Sequence, residues 1–146
     1  MTLGLRTRAL SMLARREYAR AELKKKLETH AGQDDDVDGL LDDLERSGYL
    51  SDARFGEQLA RRHGSRHGAL KLEQALRSRG VTESVVDSVV AAAREDEPAR
   101  ALAVLRRKYA APPEGMDEWA RQARYLRNRG FGLEVIRQVL RTPFEL

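Results

Sequence analysis

Apolar residues along the chain recur at spacings of three and four, as on a helix with one buried face. Val37, Leu40, Leu41 and Leu44 give a clear example. No segment keeps the strict alternation of apolar and polar residues that is typical of a strand. Ala, Leu, Arg, Glu and Lys, which are good helix formers, dominate the sequence. The pattern therefore predicts an all-α protein.

The helical pattern repeats. Leu13-Ala14-Arg15-Arg16 returns as Leu59-Ala60-Arg61-Arg62 and again as Leu105-Arg106-Arg107-Lys108, each time followed by two further apolar helical segments. A three-helix unit of roughly 45 residues is marginally stable alone, but stacked neighbours can bury its remaining apolar face. We predict nine helices in three tandem three-helix repeats (1–50, 51–96 and 97–146) that form an elongated, curved array.

Turn and capping residues agree with these helices. Three glycines follow the ends of apolar segments, where a left-handed residue is favoured: Gly48, Gly80 and Gly130. Ser51 or Asp52 is expected to cap the fourth helix and Thr82 the sixth. Pro98 suits a first helical turn, and residues 111–115 break the chain between the seventh and eighth helices.

Composition narrows the class of protein. The chain has 146 residues, no Cys, and 27 basic against 23 acidic residues, for a net charge of +4. The lack of Cys excludes disulfides, thiolate metal sites and Cys nucleophiles. No apolar run approaches the roughly 18 residues of a membrane span, and residues 1–8 lack the apolar stretch of a signal peptide, so a cytoplasmic protein is expected. The mild basic excess favours an acidic partner.

Charge is segregated along the chain. Residues 6–26 carry eight basic and two acidic residues, whereas residues 34–45 carry seven acidic residues and no basic one. The basic doublets that end each first helix complement the helix dipole, and on a stacked array they also suit a phosphate backbone or an acidic filament surface. The acidic segment 34–45 is expected to meet basic loops of such a filament. The predicted partner- or DNA-binding residues are Arg15, Arg16, Lys24, Lys25, Lys26, Arg61, Arg62, Arg106, Arg107, Lys108, Arg127 and Arg129.

Other candidate sites are weaker. Residues 34–45 fit the calcium-loop pattern of an EF-hand, but the same residues form an apolar helical stripe. His63 and His67 lie four apart without a third ligand nearby, and we expect packing or solvent-exposed roles for them. The sequence has no phosphate-binding glycine loop and no nucleophile elbow. We therefore predict no catalytic residues, no cofactor and no metal, and expect a protein that is not an enzyme.

Four segments resemble motifs of the RecX regulatory proteins. Glu22-Leu23-Lys24-Lys25-Lys26-Leu27 resembles an "EL..KL" helix, and residues 48–55 are similar to a "GYL-D-RF" run. Residues 76–81 resemble "L..RG[IV]", and residues 125–131 resemble "FL..RGF". Residues 17–21 depart from the family's Arg-Pro-x-Ser, and Arg66-His67-Gly68 stands where the family has "GYG".

The resemblance implies a cytoplasmic, non-enzymatic modulator of the RecA recombinase in DNA repair, homologous recombination and the SOS response. Such a protein binds the RecA–DNA filament and typically inhibits strand exchange, ATP hydrolysis and co-protease activity. By motif position the resemblance covers only three of the predicted contacts, Lys26, Arg127 and Arg129. Capping, groove binding and disassembly of the filament are all compatible with it, as is contact with single- or double-stranded DNA.

Two further predictions concern assembly. The protein is expected to be a monomer, and five residues are interpreted as the joint between the first two units, with Arg54 paired to an acid: Tyr49, Leu50, Asp52, Arg54 and Phe55. Two alternatives remain open, a stand-alone helical DNA-binding protein and an adaptor repeat with another client. Tight, sequence-dependent duplex binding without RecA would favour the first. Capture of one abundant partner other than RecA would favour the second.

Overall fold

The computed structural model describes residues 4–141, and within this range the chain forms nine α-helices and no strand. The helices are α1 (Leu5–Arg15), α2 (Arg20–Glu28), α3 (Val37–Arg46), α4 (Asp52–Gly64), α5 (Ala69–Ser78), α6 (Glu83–Glu95), α7 (Glu97–Lys108), α8 (Met116–Asn128) and α9 (Leu133–Leu140).

The helices pack in three groups, which we call unit 1 (α1–α3), unit 2 (α4–α6) and unit 3 (α7–α9). The helix pairs with the most extensive contacts all join two helices of the same unit. Each unit has its own apolar core, built around Leu23 and Leu41 in unit 1, Leu76 and Val86 in unit 2, and Phe131 in unit 3. The all-α repeat class is therefore confirmed, while the residue limits 1–50, 51–96 and 97–146 stay a prediction.

Glycine turns end three of the helices as expected. Gly48, Gly80 and Gly130 have φ of +82°, +72° and +90°. The amide that follows each glycine donates to the carbonyl five residues before it, at 2.9 Å for Tyr49, 3.2 Å for Val81 and 3.1 Å for Phe131. This is the hydrogen bond of a Schellman motif, which satisfies a carbonyl that the helix end would otherwise leave open.

Capping of α4 and α6 follows the prediction in part. Ser51 accepts a hydrogen bond from the Arg54 amide at 3.1 Å and so caps α4. Thr82 directly precedes α6, but the prediction that its side chain caps this helix is wrong, because the side chain makes no capping hydrogen bond. Its backbone N–H instead donates to Asp52 Oδ2 at 3.1 Å, so this residue takes part in a contact between elements.

Two buried carboxylates connect successive units. Asp52, the first residue of α4, accepts through Oδ1 from the backbone N–H of Arg20, the first residue of α2, at 2.8 Å. Glu97, the first residue of α7, accepts through Oε2 from the backbone N–H of Ala69, the first residue of α5, at 3.1 Å. In both joints the first helix of one unit therefore caps the second helix of the unit before it.

The glycine turns add a second contact to each joint. A Cβ at Gly80 would lie 2.6 Å from Cβ of Ala21 in α2, and a Cβ at Gly130 would lie 2.7 Å from Cβ of Lys71 in α5. The second joint also has a hydrogen bond from Leu70 N–H to the Gly130 carbonyl at 3.1 Å. Because both turns have positive φ and lie directly against a neighbouring helix, they require glycine.

Two of the five predicted joint residues, Asp52 and Arg54, form contacts between units 1 and 2. Leu50 and Phe55 are buried, and Arg54 Nε contacts Glu17 at 3.1 Å, which confirms its expected acidic partner. Tyr49 is 53 % exposed, and its place in the joint stays a prediction. The left-handed Gly48 directly before it ends α3, and the apolar contact with the core comes from Leu50.

Candidate partner-binding surfaces

Basic residues occupy the last turn of the first helix in every unit. Arg15 ends α1, Arg61 and Arg62 lie in the last turn of α4, and residues 106–108 lie in the last turn of α7. The predicted placement is confirmed, and it complements the negative end of each helix dipole. Whether these residues also contact a partner depends on which of them are already neutralised within the protein.

One groove gathers basic side chains from α1 and α2. Arg8 and Arg15 line it from α1, while Lys25, Lys26 and His30 line it from the end of α2 and the turn that follows. We call this surface the basic groove. No carboxylate lines it, and in residues 4–141 none of these five side chains forms an ion pair. The groove is thus the place where three of the predicted contacts converge.

Other predicted contacts of unit 1 are paired internally. Arg16 donates to Glu22 from Nη1 and from Nη2, each at 3.2 Å, and its guanidinium lies 3.6 Å from the ring centre of Tyr18. Burial disfavours its charged form, but the hydrogen bond and charge of Glu22 outweigh this effect and raise the pKa of Arg16. Lys24 Nζ lies 3.0 Å from Asp38. These two cations are less available to a partner than the sequence suggests.

The acidic segment 34–45 supplies the partners of Lys24 and Arg20. Arg20 lies 2.7 Å from Asp42 and also contacts Asp38 and Glu45. Burial lowers the pKa of Arg20, but the hydrogen bonds and charges of Asp42 and Glu45 raise it by more, so the net shift is upward. The segregated charges of α2 and α3 therefore neutralise each other across the helix interface, and this reduces the acidic surface that a filament could meet.

The calcium-loop pattern is folded as a helix. Asp36 is the N-cap of α3, and its carboxylate accepts from the Gly39 amide at 3.0 Å. The chain is helical from Val37 onward, whereas the EF-hand pattern requires a loop at these positions. Among residues 4–141 no group of three or more His, Asp or Glu side chains could hold a metal ion.

The remaining predicted contacts are spread over units 2 and 3. Arg61 lines a cleft of unit 2, whereas Arg106 lines one between α7 and α9 and Lys108 one beside the α7–α8 connection. Arg107 donates to the Ser65 carbonyl, and Arg129 donates to the Arg66 carbonyl at 3.4 Å and lies 5.0 Å from the ring of Tyr125. Arg62 and Arg127 are exposed. Arg61, Arg106 and Lys108 thus lie in three different clefts.

His63 and His67 form a contact pair inside the unit 2 cleft. Their ring centroids are 5.1 Å apart, and the Nδ1 atom of each is buried without a hydrogen-bond partner in residues 4–141. Burial is the main cause that lowers the pKa of both, and the positive charge of Lys71 adds to it. Arg100 crosses the same region and donates to three carbonyls, those of Gly64, His67 and Ala93.

Sequence reasoning missed two members of the basic groove. Arg8 lies seven residues before Arg15, which is two helical turns, so both side chains leave α1 on one face. His30 lies four residues after Lys26, in the turn that follows α2. The spacing was a usable signal, but only the tertiary packing of α1 on α2 shows that the two faces meet.

The fold and these surfaces define the class of protein: a helical-repeat protein whose three-helix units are joined by capping carboxylates and carry dispersed basic surfaces. None of the helices in the described range is both long and apolar enough to cross a membrane. Comparison with known proteins gives the family. Residues 51–90 match the model of the second three-helix domain of RecX, and residues 95–140 match that of the third.

Relatives support the same assignment over most of the chain. The Regulatory protein RecX of Leptothrix cholodnii is 42% identical over 139 residues, covering 95% of this chain and 88% of the relative. The Regulatory protein RecX of Neisseria gonorrhoeae is 34% identical over 142 residues, covering 97% and 92%. The crystal structure of RecX from Lactobacillus salivarius has the same fold, with a TM-score of 0.82 at 15% identity, covering 97% and 96% of the two chains. The chain belongs to the RecX family of regulatory proteins.

Proposed function

We propose that this protein binds the RecA filament on DNA and inhibits its recombinase, ATPase and co-protease activities. It acts in the cytoplasm as a monomer in DNA repair, and it catalyses no reaction itself. The observation that carries the proposal is the match of two successive segments to RecX three-helix domains, in a chain whose three units each end their first helix with basic residues.

Repetition of the unit supports a filament as the partner. A chain of linked units presents similar surfaces at successive positions, and a filament presents similar subunits at successive positions. Contacts with several subunits at once add their effects through a high effective concentration. Because a ligand shifts an equilibrium only by its differential affinity for two states, a protein that spans neighbouring subunits can favour one filament state over another.

The side chains that could suggest catalysis have structural roles. The buried carboxylates of Asp52 and Glu97 accept backbone hydrogen bonds at the joints. The acidic residues of α3 pair with Arg20 and Lys24 of α2. These assignments support a regulator that works by binding.

The test is the rate of RecA ATP hydrolysis on single-stranded DNA, measured with increasing amounts of this protein and RecA from the same source organism. We expect the rate to fall as the protein approaches and exceeds the filament concentration. Inhibition should weaken as salt is raised, because it depends on exposed charges. An unchanged rate at a several-fold excess of the protein would refute the proposed function.

A further inference from the structure

The basic groove has the charge of a site for a polyanion. Four of its basic side chains come from α1 and α2 and the fifth, His30, from the turn after α2. All five face a common space, with no carboxylate among the described lining residues. Arg8 Nε is buried and has no hydrogen-bond partner in residues 4–141. Like charges held close together repel one another, so the arrangement is stabilised when an anion occupies the groove.

The lack of acidic residues here contrasts with the rest of unit 1. On α2, Lys24 is paired with Asp38, whereas Lys25 and Lys26, the next two residues, turn toward α1 and have no acidic partner in the described range. On α1, Arg16 is paired with Glu22, but the preceding Arg15 has no acidic partner among residues 4–141. Unit 1 thus neutralises the cations on one side and leaves those of the groove available.

The lining favours a nucleic acid over an acidic protein. Protein interfaces rely on apolar and aromatic anchors at their centre. Among the described residues, the groove has no Phe, Tyr or Trp, its one ring is the exposed imidazole of His30, and its one large apolar residue is the partly buried Met12. Contacts to phosphate come from Arg, Lys and hydroxyl side chains, which are the groups that line this groove.

The length of the groove fits a short run of phosphates. Arg8 and Arg15 are seven residues apart on α1, a rise of about 10.5 Å. One strand of a duplex has a phosphate about every 3.4 Å along the axis, so about three phosphates fit this length. The four Arg and Lys side chains of the groove are sufficient to contact three phosphates, and contacts to phosphate carry no sequence information.

We propose that the basic groove between α1 and α2 binds the phosphodiester backbone of DNA without sequence preference. The proposal deepens the proposed function and takes its biological context from it, since it assigns the groove to the nucleic acid of the nucleoprotein filament. The binding itself needs no recombinase, so it can be measured separately.

The experiment measures the binding of fluorescently labelled oligo(dT) and of a labelled duplex by anisotropy, from 0.05 to 0.3 M salt, with the full chain and no RecA. The test variant is Lys25→Ala/Lys26→Ala. The matched control is Arg121→Ala/Arg124→Ala, which removes the same charge from an exposed face of α8. Loss of two phosphate contacts should weaken binding at 0.1 M salt about 25-fold for the single strand and about 60-fold for the duplex, by counterion release. The salt slope should fall by about one for each lysine removed.

The control variant should bind both DNAs within about threefold of the unaltered protein, and circular dichroism should show equal helix content for all three. The groove assignment is overturned if the unaltered protein does not bind DNA, if both variants lose affinity equally, or if poly-glutamate competes as well as DNA does. The comparison of oligo(dT) with duplex shows which form of the backbone is preferred. DNA binding lost in the test variant together with no effect of the unaltered protein on RecA ATP hydrolysis would support the groove while refuting the proposed function. RecA inhibition by an unaltered protein that does not bind DNA would support the proposed function while refuting the groove.

Discussion

Replacement of Asp52 tests the joint between units 1 and 2. Asp52 is 9 % exposed, and its carboxylate accepts two backbone hydrogen bonds, from Arg20 N–H at 2.8 Å and from Thr82 N–H at 3.1 Å. In Asp52→Ala both donors lose their partner in a part-buried setting. An unsatisfied buried donor costs about 1–3 kcal/mol, and partial exposure places each of these two donors near the lower limit, so we expect a loss of about 2–3 kcal/mol in the free energy of unfolding.

The assay is thermal unfolding followed by circular dichroism. For a chain of this size about 1 kcal/mol corresponds to about 3 °C, so Tm should fall by about 6–9 °C. Asp52→Asn keeps the shape and one acceptor and should lose about half as much. Asp87→Ala, at an exposed position of α6, is the control and should stay within about 2 °C.

Hydrogen exchange provides an independent measurement at the joint. The amide of Thr82 should exchange faster in Asp52→Ala, because it no longer has an acceptor. A Tm of Asp52→Ala within 2 °C of the unaltered protein, together with unchanged protection of that amide, would show that this carboxylate does not hold the units together.

Two further predictions follow from the glycine turns and the histidine pair. Gly130→Ala should lower the free energy of unfolding, measured by chemical denaturation, by about 2 kcal/mol or more, because φ is +90° and the new Cβ would lie 2.7 Å from Cβ of Lys71. The control Gly32→Ala, at an exposed position with ordinary contacts, should change this free energy by less than about 0.5 kcal/mol. Burial and nearby positive charge lower the pKa of His63 and of His67 below 6.5 in the folded state, so the unfolded chain takes up protons first as the pH falls. The free energy of unfolding should therefore be constant above pH 6.5 and decrease as the pH drops from 6.5 toward the lowered pKa values. Denaturation curves between pH 7.5 and 5.5 should show this loss, and a protein with both His63→Gln and His67→Gln should show a flatter dependence; an equal slope in the two proteins would contradict the assignment.

The helices and their order could be predicted from the sequence because local signals specify them. The stripe of Val37, Leu40, Leu41 and Leu44 identifies α3 without knowledge of its neighbours. The left-handed glycines are predictable for the same reason, since the need for positive φ arises within the turn itself.

The surfaces could be predicted only in part, because charge pairing depends on tertiary distance. Lys24, Lys25 and Lys26 are equivalent in the sequence, yet Lys24 faces Asp38 while the other two face α1. The capping role of Asp52 was also beyond local reasoning, since its acceptor atoms serve donors 32 and 30 residues away. A side chain that satisfies the backbone of a distant helix leaves no periodic signal in the sequence.

The choice of main-chain donors at both joints affects how far relatives of this protein can diverge. A carboxylate at position 52 or 97 keeps its bond whatever side chain stands at position 20, 69 or 82, and only proline, which lacks the N–H, would remove it. The geometry between neighbouring units can therefore persist while most of the residues around it are exchanged. The shared architecture at 15% identity with the Lactobacillus salivarius structure is what such backbone anchoring allows.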